Sequence, residues 1–479
     1  VDLIRLIADN FSFWATLYVA NYVLAFVCAA REIMNSRTSQ GSIAWLLSLL
    51  ILPFPTTIVY LVFGWKFFDD YAESQVHSGR SWRLARSEDL RIVDRGTSDD
   101  WPVLRKVAEL PFLYGNAANL LVDGEDTFAS IFDGIARARE YILVQFYIIR
   151  DDDLGQRFAD ALIERAKAGV RVYVLYDDAG THALPNSYKE RMRDNGISIY
   201  GFNHRHPFLR FYGLTRINYR NHRKNVVVDG VEAWVGGHNV GDEYLGKDPK
   251  FGRWRDTHVH VAGPAALACV LMFREDWHWA TGEDLVVHYP SEVPTPGDQP
   301  ILVMPTGPAD KLEDCSIAFT EVIARARERL WIVSPYFVPG IEIQTALYAA
   351  SLRGVDVRIL LPRKPDHMIV WLASYAHADQ MVEHGIKVHR YEQGFLHQKV
   401  ILCDDKIAGV GTVNFDYRSF NINFEVTLWF THEDMIAKIA AMLETDFAAS
   451  YLTTERNLKR RNFLFRLLCQ GARLFSPIL

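Results

Sequence analysis

Cysteine is scarce in this chain. Cys28, Cys269, Cys315, Cys403 and Cys469 are five in 479 residues, odd in number and in no CxxC spacing. Such a set argues against a disulfide framework and offers no zinc-ligand pattern, so a reduced compartment is expected. Positive charge is also in short supply, with 52 Lys and Arg against 58 Asp and Glu, a net charge of −6. No global attraction to nucleic acid follows, and any anion site must be a local patch. A disordered composition is absent too. Apolar residues make up 49% and charged residues 23%, enough for large buried cores in two or three domains.

What the first 65 residues do contain is long apolar runs. Phe11 to Ala30 is 20 residues interrupted only by Ser12, Thr16 and Asn21, and Ile43 to Gly64 is 22 residues without a charge. As a helix, each spans about 30 Å, the thickness of a bilayer core. A cleaved signal peptide is the competing reading of the first run. The second run favours a two-helix transmembrane hairpin over residues 1–70, kinked at Pro53 and Pro55. Arg31 and Arg37 lie in its loop, and Lys66, Arg80, Arg83, Arg86 and Arg91 follow it. That count of basic residues places the main body on the cytoplasmic side.

The chain repeats itself. Ile135-Ala-Arg-Ala-Arg-Glu140 recurs letter for letter as Ile323-Ala-Arg-Ala-Arg-Glu328. Each copy ends an amphipathic helix and leads into an apolar run, Tyr141 to Ile149 and Leu330 to Val338, rich in strand-forming residues. Helix, strand and helix patterns follow in the same order in both halves. The alternation predicts an α/β fold with parallel pairing and helices on the sheet faces. The expected domains are the hairpin at 1–70, a linker at 71–109, a first lobe at 110–290 and a second at 291–479. The lobes are related by pseudo-symmetry, each a mixed, mostly parallel sheet flanked by helices.

One segment in each half carries an unusual polar set. His222, Lys224 and Asp229 match His397, Lys399 and Asp404 in the pattern H-x-K-x4-D, and Asn239 and Asn414 follow their histidines by 17 residues. In a strand, alternate residues share a face, so each histidine and its lysine point the same way. Joined, the halves present two imidazoles, two ammonium groups and two carboxamides. That collection suits a phosphodiester: cations and amides stabilise charge on the phosphoryl oxygens, one imidazole attacks phosphorus and the other protonates the leaving alkoxide. The lysines would repel a metal cation, so no metal is expected. Asp229 and Asp404 complete the motif. Their odd offset from the lysines turns them away from the phosphate and suggests that they brace the fold.

These paired motifs, each followed by glycine and asparagine at one interval, resemble the phospholipase D superfamily across both halves. The preceding apolar runs and the segments Ser334 to Pro339 and Gly411 to Ser419 resemble bacterial cardiolipin synthases. The resemblance implies one site shared by two lobes, a phosphatidyl-histidine intermediate and no cofactor. It implies phosphatidylglycerol and anionic membrane lipids as partners, and a multi-pass protein of the bacterial inner membrane. Two phosphatidylglycerols would give cardiolipin and glycerol. It makes His222 the nucleophile and His397 the acid/base, an order that the pseudo-symmetry allows to be reversed. It also implies a carboxylate behind each histidine, for which Glu425 and Asp256 are the candidates; an ordinary buried salt bridge is the alternative for each. Tyr336 joins the expected substrate-binding residues.

The halves differ before the first motif, where His204 to Arg216 forms an insertion mixing Arg205, Arg210 and Arg216 with aromatic rings. It suits an interface with anionic lipid, or a loop packed over its lobe. Lys459 to Phe475 reads as a basic amphipathic helix that either lies on a membrane or packs on the second lobe. A phosphatidylserine synthase, a hydrolytic phospholipase D and a nuclease share the motif; the apolar runs and the acidic balance disfavour the nuclease. A lipid-binding scaffold with a dead site is the reading from another class, opposed by two complete motifs. Nothing in the residues excludes a homo-oligomer.

Overall fold

The computed structural model describes residues 2–35, 39–64, 100–203, 219–285, 287–290, 292–310, 312–454 and 461–479. At the N-terminus, helix α1 (Asp2–Met34) is followed by α2 (Ser39–Ile51) and α3 (Pro53–Phe63). The three pack on one another through Ala25, Cys28, Leu49 and Tyr60, while Phe13, Trp14, Tyr18 and Phe26 stay exposed. Glu32 of α1 accepts hydrogen bonds from Ser42 (2.7 Å) and Tyr60 (2.9 Å).

Among the described residues, the span Phe13–Met34 is long and apolar enough to cross a membrane. The second run departs from expectation. It does not form one kinked spanning helix but breaks at Leu52, because a residue before proline is pushed out of the helical region. The pieces of 13 and 11 residues reach only about 20 Å and 17 Å. At the break the Ser48 carbonyl accepts both the N–H of Leu52 (2.9 Å) and the hydroxyl of Thr56 (3.1 Å).

The body opens with α4 (Pro102–Ala108), inside the stretch expected to be a linker. Trp101, Leu104 and Ala108 are buried in the main core, so residues 101–110 belong to the folded body. The first lobe then runs β1 (Leu113–Val122), α5 (Asp123–Arg137), β2 (Tyr141–Phe146), α6 (Asp153–Lys167), β3 (Arg171–Tyr176), α7 (Asn186–Asp194), β4 (Ser198–Gly201), β5 (Asn225–Val228), β6 (Glu232–Gly236), β7 (Trp254–Arg255), β8 (Thr257–Ala262) and α8 (Pro264–Thr281). The second runs β9 (Gln299–Thr306), α9 (Asp314–Arg325), β10 (Arg329–Val333), β11 (Phe337–Val338), α10 (Ile341–Leu352), β12 (Asp356–Pro362), α11 (Met368–Glu383), β13 (Lys387–Tyr391), β14 (Phe395–Leu396), β15 (Val400–Cys403), β16 (Ile407–Gly411), β17 (Phe415–Asp416), α12 (Tyr417–Asn421), β18 (Glu425–Phe430), α13 (Glu433–Ala448), β19 (Ser450–Leu452) and α14 (Phe463–Arg473).

Fifteen of these strands form one sheet, in the order β19-β13-β12-β10-β15-β16-β18-β9-β1-β8-β6-β5-β2-β3-β4. The lobes meet at its centre, where β1 and β9 pair antiparallel. The mostly parallel sheet expected from the strand–helix alternation is corrected here. Only β2-β3-β4 and β10-β12-β13 run parallel, and every other neighbouring pair in the sheet is antiparallel. The reason is a tight turn after each motif strand. Asp229 (φ 52) and Gly230 (φ 69) both take the left-handed conformation in the three-residue turn between Val228 and Glu232, and Asp404 (φ 52) takes it in the matching turn between Cys403 and Ile407.

The same turn explains the repeated hexapeptide. The Asp229 carboxylate accepts the backbone N–H groups of Arg139, Glu140 and Tyr141 at 2.8–2.9 Å. Asp404 accepts those of Arg327, Glu328 and Arg329 at 2.8–3.0 Å. Each motif aspartate thereby pins the exit of the Ile-Ala-Arg-Ala-Arg-Glu segment to the sheet.

Candidate active site

Both His-x-Lys segments are extended, but each lies just ahead of its strand (β5 or β15) rather than within it. Each reaches into the other lobe. The N–H of His222 donates to the carbonyl of Phe424 (2.9 Å), and the N–H of His397 donates to that of Arg255 (2.8 Å). The residue after each acceptor is a carboxylate, so the pairing delivers an acid to each ring. His222 Nδ1 lies 3.0 Å and 2.9 Å from the two Glu425 oxygens, and His397 Nδ1 lies 2.7 Å from Asp256 Oδ2. The carboxylates are exchanged: the second lobe holds the first lobe's histidine, and the first holds the second's.

This exchange is fastened by buried ion pairs. Arg255 meets Asp446 through two bonds of 2.7 Å. Arg223 binds Asp276 (2.8 Å) and reaches across to the carbonyls of Glu425 (2.9 Å) and Thr306 (3.1 Å). Removing one partner of such a pair costs about 3–5 kcal/mol, because the other charge is left buried.

The two lysines meet their histidines differently, Lys399 at the ring and Lys224 at the backbone carbonyl. Lys399 Nζ is 2.9 Å and 3.1 Å from the two ring nitrogens of His397, and Lys224 Nζ donates to the His222 carbonyl at 2.6 Å. Lys224 also lies over the Tyr147 ring at 5.5 Å, and that ring packs on His222. Burial pulls Lys224 down to about 7 against the attraction of Glu425, and Lys399 down to about 8 against that of Asp256. Burial also lowers His222 to about 4, opposed by Glu425. His397 falls well below its ordinary value through burial and then the Lys399 charge. Burial opposes the charge on Glu425, yet His222 and Lys224 outweigh it and leave that acid below the usual range. Burial thus favours neutral imidazoles at both positions, with an ionised Glu425 behind His222.

His222, Asn239, His397 and Asn414 line one cavity of about 580 Å³. Asn239 is held by the N–H of Ile148 (3.1 Å) and the Tyr244 hydroxyl (3.1 Å). Gly237 keeps the site open, because a Cβ there would stand 1.9 Å from Asp256 Oδ1. Tyr336 lines the same cavity and donates its hydroxyl to Asp366. Asp229 and Asp404 sit at the far ends of their strands, on backbone N–H groups, and do not line it. Arg205, Arg210 and Arg216 lie outside the described residues.

Sequence reading passed over several lining residues. Arg220 and Arg418 reach the cavity near His222, and Arg150, Glu243 and Lys250 line its other side. A signal for Arg220 was present: it stands two residues before His222 and so shares a face with it.

A two-lobed α/β body with one His-x-Lys set per lobe, converging on one cavity, defines the phospholipase D-like class. The family described as "Cardiolipin synthase, PLD-like domain" matches residues 131–248 and 319–448, and "Phospholipase_D-nuclease N-terminal" matches 23–65. Cardiolipin synthase A of Pseudomonas syringae pv. syringae is 43% identical over 479 residues, covering 96% of this chain and 99% of that protein. Cardiolipin synthase A of Pseudomonas aeruginosa is 45% identical over 472 residues, 97% of this chain and 96% of that one. In structure, the body resembles phosphatidylserine synthase of Haemophilus influenzae, with a TM-score of 0.60 at 15% identity, over 79% of this chain and 99% of that one. The chain belongs to the cardiolipin synthase family of phospholipase D-like phosphatidyltransferases.

Proposed function

We propose that this protein transfers a phosphatidyl group from one phosphatidylglycerol to the glycerol hydroxyl of another, giving cardiolipin and glycerol. The supporting observation is the pair of histidines on one cavity, each with a lysine against it and a carboxylate from the opposite lobe. One neutral imidazole attacks phosphorus and displaces the glycerol oxygen, which takes a proton from the other ring in its imidazolium form. The phosphatidyl-histidine is then attacked by the incoming hydroxyl, whose proton returns to that second ring. Lys224, Lys399 and the carboxamides of Asn239 and Asn414 balance the charge on the phosphoryl oxygens. Glu425 and Asp256 fix each ring's orientation and stabilise its charged form.

α1 supplies a membrane anchor in this reading, and the protein is assigned to the bacterial inner membrane with its body on the cytoplasmic side. α14 adds a second lipid contact. It packs on α11 through Phe465 and Cys469 but leaves Phe463, Leu464, Leu467 and Leu468 exposed beside Arg461 and Arg466. Incubating the full-length protein with labelled phosphatidylglycerol and weighing the products tests the reaction. Cardiolipin with equimolar glycerol supports it, and phosphatidic acid alone replaces it with hydrolysis.

A further inference from the structure

The cavity has to receive two kinds of oxygen: the charged ones on phosphorus and the neutral hydroxyls of an alcohol. Lysines and carboxamides serve the first kind. For the second, one lining residue stands out. Asp366 is half-buried in the cavity wall, and its charge acts on His397 and Lys399. It sits in the short connection between β12 and α11, at the carboxyl end of a parallel strand, where α/β sheets bind ligands.

The first lobe uses its related acid otherwise. Asp177 follows β3, is wholly buried, accepts the N–H groups of Ala179, Gly180 and Asn221, and does not line the cavity. The remaining carboxylates of the cavity wall are committed to the protein. Glu243 pairs with Arg150 at 3.4 Å, Asp416 caps α12 through the N–H of Ser419 at 2.7 Å, and Asp248 holds its own loop through the N–H of Lys250 at 2.8 Å. Asp366 carries one bond on each oxygen: the Tyr336 hydroxyl donates to Oδ2, and the N–H of His367 donates to Oδ1 at 2.6 Å. A carboxylate has about four lone-pair sites, so each oxygen keeps one for a ligand.

We propose that Asp366, held in place by Tyr336, selects the alcohol: its two oxygens accept the hydroxyls next to the glycerol oxygen that leaves or enters at phosphorus. This rests on the phosphatidyl-transfer reading and names how that reading prefers a polyol to a simple alcohol. The chemistry fits the position. A carboxylate repels phosphate oxygens and attracts hydroxyl protons, so it marks the end of the site where the neutral part of the headgroup lies. Beyond its reacting oxygen, the donor's glycerol carries two hydroxyls on adjacent carbons, one for each carboxylate oxygen. A site built to bond a hydroxyl rejects the analogue that lacks it.

The carboxylate also gives the reaction a direction. Displacement at phosphorus is in line, so an alcohol held on the His397 side leaves opposite His222. The bond from His222 to phosphorus forms as the bond from phosphorus to the glycerol oxygen breaks, and that oxygen takes the proton of the His397 imidazolium. The second step retraces this path with the lipid alcohol. Asp256, 2.7 Å from His397 Nδ1, and Asp366 both favour the protonated ring, against Lys399. His222 as nucleophile and His397 as acid/base agree with this arrangement.

A partition experiment decides. Full-length protein in phosphatidylglycerol vesicles is supplied with glycerol and 1-propanol at equal concentration, each radiolabelled. Both alcohols attack the same phosphatidyl-enzyme, so the ratio of labelled phosphatidylglycerol to phosphatidylpropanol reads the choice of alcohol, whatever the rate at which that intermediate forms. Wild type should favour glycerol. In Asp366→Asn the ratio should fall by roughly tenfold, the loss expected for one charge-assisted hydrogen bond. If both products fall together and the ratio holds, the inference is overturned, and Asp366 serves only the fold or the charge on His397. Asp366→Ser decides in the same way should Asp366→Asn yield no product. Equal use of both alcohols by wild type also overturns the inference, although transfer stands. Wild-type protein that accepts neither alcohol and releases phosphatidic acid alone removes the transfer reading itself, and the inference with it.

Discussion

The two lobes agree at the floor of the cavity and disagree at its rim. At the floor, each lobe contributes a histidine and an asparagine that line the cavity, a buried lysine bonded to that histidine, and a carboxylate lent to the other lobe's histidine. At the rim, Arg220 faces the role of Phe395 and Arg418 that of Glu243. A phosphoryl group needs the same partners on both sides, so the floor has reason to stay symmetric. A donor and an acceptor differ, so the rim has reason not to.

The largest test of this contrast is at the floor. His222→Ala and His397→Ala should each lower kcat/KM by about four orders of magnitude, as when one member of a catalytic set is removed. If only one of the two variants is impaired, the shared site is broken as an idea. Next come the exchanged carboxylates. Glu425→Gln and Asp256→Asn keep shape but lose charge, and each should cut kcat by about 100-fold with the melting profile little changed. Unequal losses would show which ring carries the heavier protonic duty.

Smaller is the effect of pH. Lys224 near 7 and Lys399 near 8 are charged below those values and neutral above them. kcat/KM, which reports the free enzyme, should therefore decline as pH rises through 7 to 9. kcat should hold to higher pH, because bound phosphate stabilises the ammonium forms. A kcat/KM that rises through this window would contradict the cationic role of the lysines. Smallest in chemistry is Asp229→Ala. It removes the acceptor of three backbone N–H groups, so stability should fall by about 2–3 kcal/mol, read as a lower unfolding midpoint.

Much of the floor was legible, because a strand's alternation and a repeated spacing are local properties of the chain. His222 and Lys224 share a face wherever the lobe lies. The carboxylate exchange was not legible: which acid meets which ring depends on Asn221 bridging Phe424 and on β14 pairing with β7 across the lobes. Strand–helix alternation alone predicts a mostly parallel sheet, and the Asp229-Gly230 turn, a local signal of an antiparallel hairpin, overrides it. Pro53 breaks the second apolar run instead of kinking it, because proline's effect on the residue before it depends on the local backbone and not on composition. Trp101 and Leu104 sit in a charged stretch that reads as a linker, yet both are buried and their helix packs on β9.

A crystal structure of the full-length protein with tungstate or vanadate bound tests the shared site most directly. One oxyanion should sit between the Nε2 atoms of His222 and His397, with Lys224 and Lys399 on its oxygens. Two oxyanions in separate pockets, or one that touches a single ring, would contradict a phosphate gripped by both lobes.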